Sequence, residues 1–96
     1  MTLPELFQII MDRKNNPTDG SYTARLLAAG EDAVLKKIGE EAMEVILAAK
    51  GQGQERLVEE IADLVYHTLV LLVHQEISFA EVESELARRH PGKISP

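Results

Sequence analysis

Apolar residues recur at helical spacing along most of the chain, and no stretch alternates as a half-buried strand would. Leu6, Ile9 and Ile10 mark one side of a short amphipathic helix over residues 3–14. Asn15-Asn16-Pro17-Thr18-Asp19-Gly20 is dense in turn formers and reads as a loop. Ser21-Tyr22-Thr23 leads into a short helix that stops at Gly30. A long helix over 31–50 carries Val34, Leu35, Ile38, Ala42, Val45, Ile46 and Ala49 as one stripe, and Gly51-Gln52-Gly53 breaks it. A second long helix starts near Glu55 and ends at His74 or Glu76. Ser78, with Glu81 three residues later, forms a capping box for a last helix through Arg89, and Pro91-Gly92 ends it. The pattern predicts an all-α chain of about five helices. It forms one domain over 1–96, with its core at 21–90 and a frayed tail at 91–96.

The second long helix changes this picture. Leu57, Ile61, Leu64, Val65, Thr68, Leu71 and Leu72 make its expected core face, but Leu69, Val70 and Val73 extend apolarity nearly all the way round. A helix apolar on every side must be buried on every side. Five short helices do not readily enclose one, so a partner chain is expected to cover it. The economical arrangement is a homodimer in which the two long antiparallel helices of each copy complete a four-helix bundle. One narrow strip stays polar: Arg56, Glu60, Asp63, His67 and His74.

Composition removes several function classes. The net charge is −6 and no basic stripe exists, which argues against nucleic acid as a partner. The longest apolar run, Leu69 to Val73, is far too short to span a bilayer, so no membrane partner is expected. Cysteine is absent and Met1-Thr2-Leu3-Pro4-Glu5 has no signal-peptide pattern, which fits a reducing cytoplasm.

The candidate chemistry lies in two acid pairs, Glu41 with Glu44 and Glu60 with Asp63, with fifteen residues between Glu44 and Glu60. Three-residue spacing sets both acids of a pair on one helix face, with Cβ atoms about 5–6 Å apart. The intervening stretch suffices for one helix to end and the next to return. With the two faces opposed, four carboxylates converge on a place for a hard divalent cation. Spacing alone is weak, because chance supplies about 2.6 such pairs at this acid content. Context adds weight: like charges at this spacing oppose helix formation, and Lys36–Glu40 and Lys37–Glu41 are i,i+4 pairs in the weaker order. Both acid pairs also border apolar stripes. The residues leave a metal site and a solvated acidic flank both open. A di-iron bundle fits poorly, because Glu-x-x-His is missing, with Leu at 47 and Asp at 63. No nucleophile elbow surrounds any serine.

Lys36-Lys37-Ile38-Gly39-Glu40-Glu41-Ala42-Met43-Glu44-Val45, followed by Glu60-Ile61-Ala62-Asp63-Leu64-Val65-Tyr66-His67, resembles the MazG-like all-α nucleoside triphosphate pyrophosphohydrolases. Their hallmark is Glu-Glu-x-x-Glu, a spacer, then Glu-x-x-Asp. Asp19-Gly20-Ser21-Tyr22-Thr23-Ala24-Arg25-Leu26-Leu27, the Lys36-Lys37 pair and Tyr66-His67 narrow the resemblance to the phosphoribosyl-ATP pyrophosphatase family of histidine biosynthesis, over about residues 17–90. The short cysteine-free chain looks like the stand-alone form and not the form fused to a cyclohydrolase.

That resemblance implies Mg²⁺-dependent hydrolysis of the α–β phosphoanhydride of phosphoribosyl-ATP, a small-molecule nucleotide. It implies Glu41, Glu44, Glu60 and Asp63 as metal ligands and a catalytic set of these four with Glu40. Glu40 would activate water or lie in the outer shell, against the plainer reading of a surface acid paired with Lys36. Lys37, on the Glu41 side, is the better phosphate contact. Ser21 and Thr23 would bind phosphate at a helix start or simply cap that helix. Tyr22 would stack on a base or pack. Arg56 and His67 share the acid strip as neighbours of the ligands. Two rivals stay open: a MazG-like pyrophosphatase of another triphosphate, and a non-catalytic helical dimerisation module.

Overall fold

The computed structural model describes residues 1–92, which form five α-helices: α1 (Leu3–Asn15), α2 (Tyr22–Ala29), α3 (Glu31–Gly51), α4 (Gln54–His74) and α5 (Phe79–Arg89). No strand occurs among the described residues, and none of the helices is long and apolar enough to cross a membrane. The expected tail falls mainly outside the described residues; Pro91 and Gly92 form a turn.

Local chemistry sets the helix limits. Thr2 Oγ1 accepts the Glu5 N–H at 3.2 Å while the Glu5 carboxylate accepts the Thr2 N–H at 2.8 Å, which closes a capping box on α1. The expected box on α5 also forms, with the Ser78 N–H donating to the Glu81 carboxylate at 3.0 Å. Gly53, at φ 89°, turns the chain between α3 and α4 in a conformation that disfavours any residue with a Cβ.

The short Gln52-Gly53 connection returns α4 along α3, and this hairpin is the scaffold of the molecule. At the end remote from its turn, α1 and α2 pack over it. There Phe7, Ile10, Leu26, Val34, Leu69, Val70 and Val73 form the core. Phe79 of α5 approaches Phe7 with ring centroids 6.3 Å apart, but α5 otherwise touches the chain lightly.

The core corrects the face assigned to α4. Leu69, Val70 and Val73, expected as a mere extension, are the apolar residues of α4 buried within the chain. Ile61 and Thr68, expected in the core, are exposed, and Leu57, Leu64, Val65, Leu71 and Leu72 are half-buried. On α3, Val34 is buried but Leu35, Ile46 and Ala49 are exposed. The cause is the placement of α1 and α2, which cover one side of the hairpin and leave the other bare.

Candidate active site

The middle of the hairpin carries the acids. Successive turns of α3 present Lys37, Glu40, Glu41 and Glu44, and successive turns of α4 present Arg56, Glu60 and Asp63; all seven line one open recess. Glu41, Glu60 and Asp63 each place a carboxylate oxygen within 4.8 Å of the others. Glu44 lines the recess outside that triad. Five carboxylates against two cations leave the recess at −3.

The two cations sit against the most buried acids. Arg56 Nη2 lies 3.0 Å from Glu60 Oε1, and Lys37 Nζ lies 3.4 Å from Glu41 Oε1. Only 4 % of the Glu60 side chain is exposed. Burial pushes its carboxyl above the usual carboxylate range; Arg56 opposes that, and Asp63, Glu41 and Glu44 add to it. Burial pulls the Lys37 ammonium down, but Tyr22, Glu41 and Glu40 outweigh it, and the net direction is up. Arg56 is raised by its hydrogen bond to Glu59 and then by the Glu60 charge. A carboxylate group this dense, with one member desolvated, calls for positive charge.

The other residues named from the sequence divide. Glu40 faces the recess, paired with Lys37 at 3.7 Å and not with Lys36, because the Lys37 side chain leans between Glu40 and Glu41. Ser21 and Thr23 do not line the recess. Ser21 Oγ accepts the Ala24 N–H at 3.1 Å as the cap of α2, and the Thr23 hydroxyl is bonded to that of Tyr66.

One arrangement escaped the sequence reading. The Tyr22 hydroxyl lies 3.0 Å from His67 Nε2, and His67 Nδ1 lies 2.7 Å from the carbonyl oxygen of Asp63. Tyr66 stands edge-on to the same imidazole, with centroids 4.9 Å apart. Tyr22 therefore does more than pack. Its phenol is raised by burial, with Lys37 opposing and Tyr66, Glu41 and Glu40 reinforcing. The available signal was the polar strip on α4, which already set His67 one turn beyond Asp63.

A second cavity, lined by Phe7, Met11, Val73 and Ile77 with Lys14 and Glu76 at hand, lies between α1 and the α4–α5 turn. Its apolar walls suit no polyphosphate, and it holds none of the clustered acids.

Comparison with known proteins places the chain in a family. The family described as phosphoribosyl-ATP pyrophosphohydrolase matches residues 3–90. A phosphoribosyl-ATP pyrophosphatase of Pelotomaculum thermopropionicum is 53 % identical over 89 residues, which cover 93 % of this chain and 91 % of that one. One from Lactiplantibacillus plantarum is 50 % identical over 93 residues, covering 97 % and 87 %. A histidine biosynthesis bifunctional protein of a Nostoc species is 49 % identical over 88 residues, 92 % of this chain but 41 % of that longer protein.

Proposed function

The chain belongs to the phosphoribosyl-ATP pyrophosphohydrolase family, and from that premise we propose that the acidic recess of the α3–α4 hairpin is where it acts. It is a hydrolase of histidine biosynthesis. Water adds across the α–β phosphoanhydride of phosphoribosyl-ATP: one P–O bond forms, the bridging P–O bond breaks, and phosphoribosyl-AMP and pyrophosphate separate.

The observation that carries the reading is the convergence of Glu41, Glu60 and Asp63 within 4.8 Å, with Glu60 buried. The donors are all hard carboxylate oxygens, with no imidazole or thiolate in the triad, which fits Mg²⁺ better than a softer metal. Glu41, Glu60 and Asp63 would hold the ion, and Glu44 is placed to reach it or one of its waters. When bound, Mg²⁺ supplies the positive charge that a phosphate polyanion needs in a recess of this sign.

The chain's own residues do the rest. Lys37 sits between Glu40 and Glu41 and can turn its ammonium to a phosphate oxygen. Glu40, on the recess wall, can accept a hydrogen bond from the attacking water and take its proton. Arg56 compensates Glu60 from one turn earlier on α4. Ser21 shapes the start of α2 as its cap, and Thr23 ties α2 to α4 through the Tyr66 hydroxyl.

The exposed apolar side of the hairpin supports the homodimer. Ile46, Val58 and Ile61 are 56 %, 60 % and 44 % exposed in one chain, and a second hairpin laid against them completes four helices. Ile61→Asp should turn a dimer into a monomer in sedimentation velocity. A dimer that persists unchanged would place the contact elsewhere. The reaction is assigned to the cytoplasm, in keeping with a cysteine-free chain.

The test is pyrophosphate release, with and without Mg²⁺, from phosphoribosyl-ATP beside dUTP and the ordinary triphosphates. Mg²⁺-dependent release from phosphoribosyl-ATP alone is expected. Release independent of divalent ions would remove the metal role of the recess.

A further inference from the structure

We propose that Tyr22 and His67 are a positioning pair that fixes the turn of α4 bearing Asp63 and so sets how tightly the recess holds a divalent ion. The inference rests on the metal reading above. Its starting point is Asp63 itself, whose exposed carboxylate has no hydrogen bond or ion pair among the described residues. Glu41 and Glu60 beside it repel it. Its place in the triad is therefore decided by its backbone.

That backbone is tied from the next turn. The Asp63 carbonyl can only accept, so His67 Nδ1, at 2.7 Å, carries the hydrogen. The neutral ring then offers Nε2 as an acceptor, and the Tyr22 hydroxyl at 3.0 Å donates to it. The carbonyl sets the direction of the first bond, and the Nδ1–H tautomer it selects sets the direction of the second. The imidazole is buried, and Tyr22 and Tyr66 stand edge-on to it with centroids at 5.9 and 4.9 Å, so it has little room to turn.

The other end of the tie is equally anchored. Tyr22 is the first residue of α2, held there by the Ser21 cap, and the next residue, Thr23, bonds Tyr66. Two consecutive residues of α2 thus grip two consecutive residues of α4. A single contact would let α4 rotate or slide; two adjacent ones fix both motions beside Asp63. Neither Tyr22 nor His67 lines the recess, so their effect is exerted through Asp63 and not by touching an ion.

The test is Mn²⁺ binding to the full chain without substrate, read from the electron paramagnetic resonance of free Mn²⁺. Tyr22→Phe removes only the donor to Nε2. It should keep the helical circular dichroism and weaken Mn²⁺ binding about tenfold, the lower end of what supporting hydrogen bonds contribute at metal sites. His67→Asn, which retains a short amide donor but no Nε2, should behave alike and serves if Tyr22→Phe does not fold. The ¹⁵N spectrum of wild-type His67 should report Nδ1–H with a hydrogen-bonded Nε2, and Tyr22→Phe should lose the second feature. Unchanged Mn²⁺ affinity in folded Tyr22→Phe overturns the positioning role while leaving the metal reading intact. A wild-type ring protonated on Nε2 alone overturns it without any variant. Wild-type protein that binds no Mn²⁺ overturns both readings together.

Discussion

The two halves of α4 are one continuous helix under opposite demands. Its C-terminal half buries hydrocarbon, with Leu69, Val70 and Val73 packed under α1 and α2. Its N-terminal half buries a carboxylate, Glu60, compensated by Arg56 and surrounded by further acids. The first half lowers the free energy of the folded chain. The second raises it, because a desolvated acid among like charges is unfavourable until a cation arrives. His67 lies at the boundary and joins them. Stability and the proposed chemistry are thus separated by about two helical turns, and substitutions should separate them too.

The largest effect should come from the acidic half. Asp63→Asn should keep the fold but lower kcat by roughly 10²–10³-fold, on the scale of losing one electrostatic element of a site. Wild-type turnover in that variant would remove Asp63 from the site. In the apolar half the effect should fall on stability instead. Val70, fully buried, should lose about 1–3 kcal/mol on truncation to Ala, a drop of roughly 10 °C in Tm, with turnover per folded molecule kept. A Val70→Ala enzyme of normal Tm and poor turnover would mean that the halves are not separable.

The smallest effect is a pH dependence of stability in the acidic half. The folded state holds the Glu60 carboxyl above its unfolded value, so in that window it binds the proton that the unfolded chain releases. Stability of the metal-free protein should therefore fall as pH rises from the ordinary carboxylate range through the raised value. Glu60→Gln should flatten that decline and raise the metal-free Tm at about pH 8 by a few degrees, while abolishing the increment from Mg²⁺. Melting curves in EDTA and in Mg²⁺ check both. A metal-free Tm that climbs over the same pH range would reverse the sign assigned to Glu60.

Much of this was legible along the chain. Both capping boxes are written as Thr2 with Glu5 and Ser78 with Glu81, although only the second was singled out. The acid spacing and the Gly51-Gln52-Gly53 break foretold a hairpin that brings Glu41, Glu60 and Asp63 together. The core face of α4 was not legible. A helix with leucine and valine on nearly every side has no periodicity to say which side faces its own chain and which lies bare. Glu40 chose Lys37 over Lys36 because neighbours at i+3 and i+4 compete for one flexible ammonium. Tyr22 and His67, 45 residues apart, meet only because α2 folds back on α4, and no local spacing encodes that.

A crystal of the protein soaked in Mn²⁺ and measured for anomalous scattering would show directly where a divalent ion sits. A peak is expected within coordinating distance of Glu41, Glu60 and Asp63, reached by carboxylate oxygens that the hairpin already brings together. A well-ordered recess without a peak, or a peak only at another set of acids, would contradict the metal role of the recess.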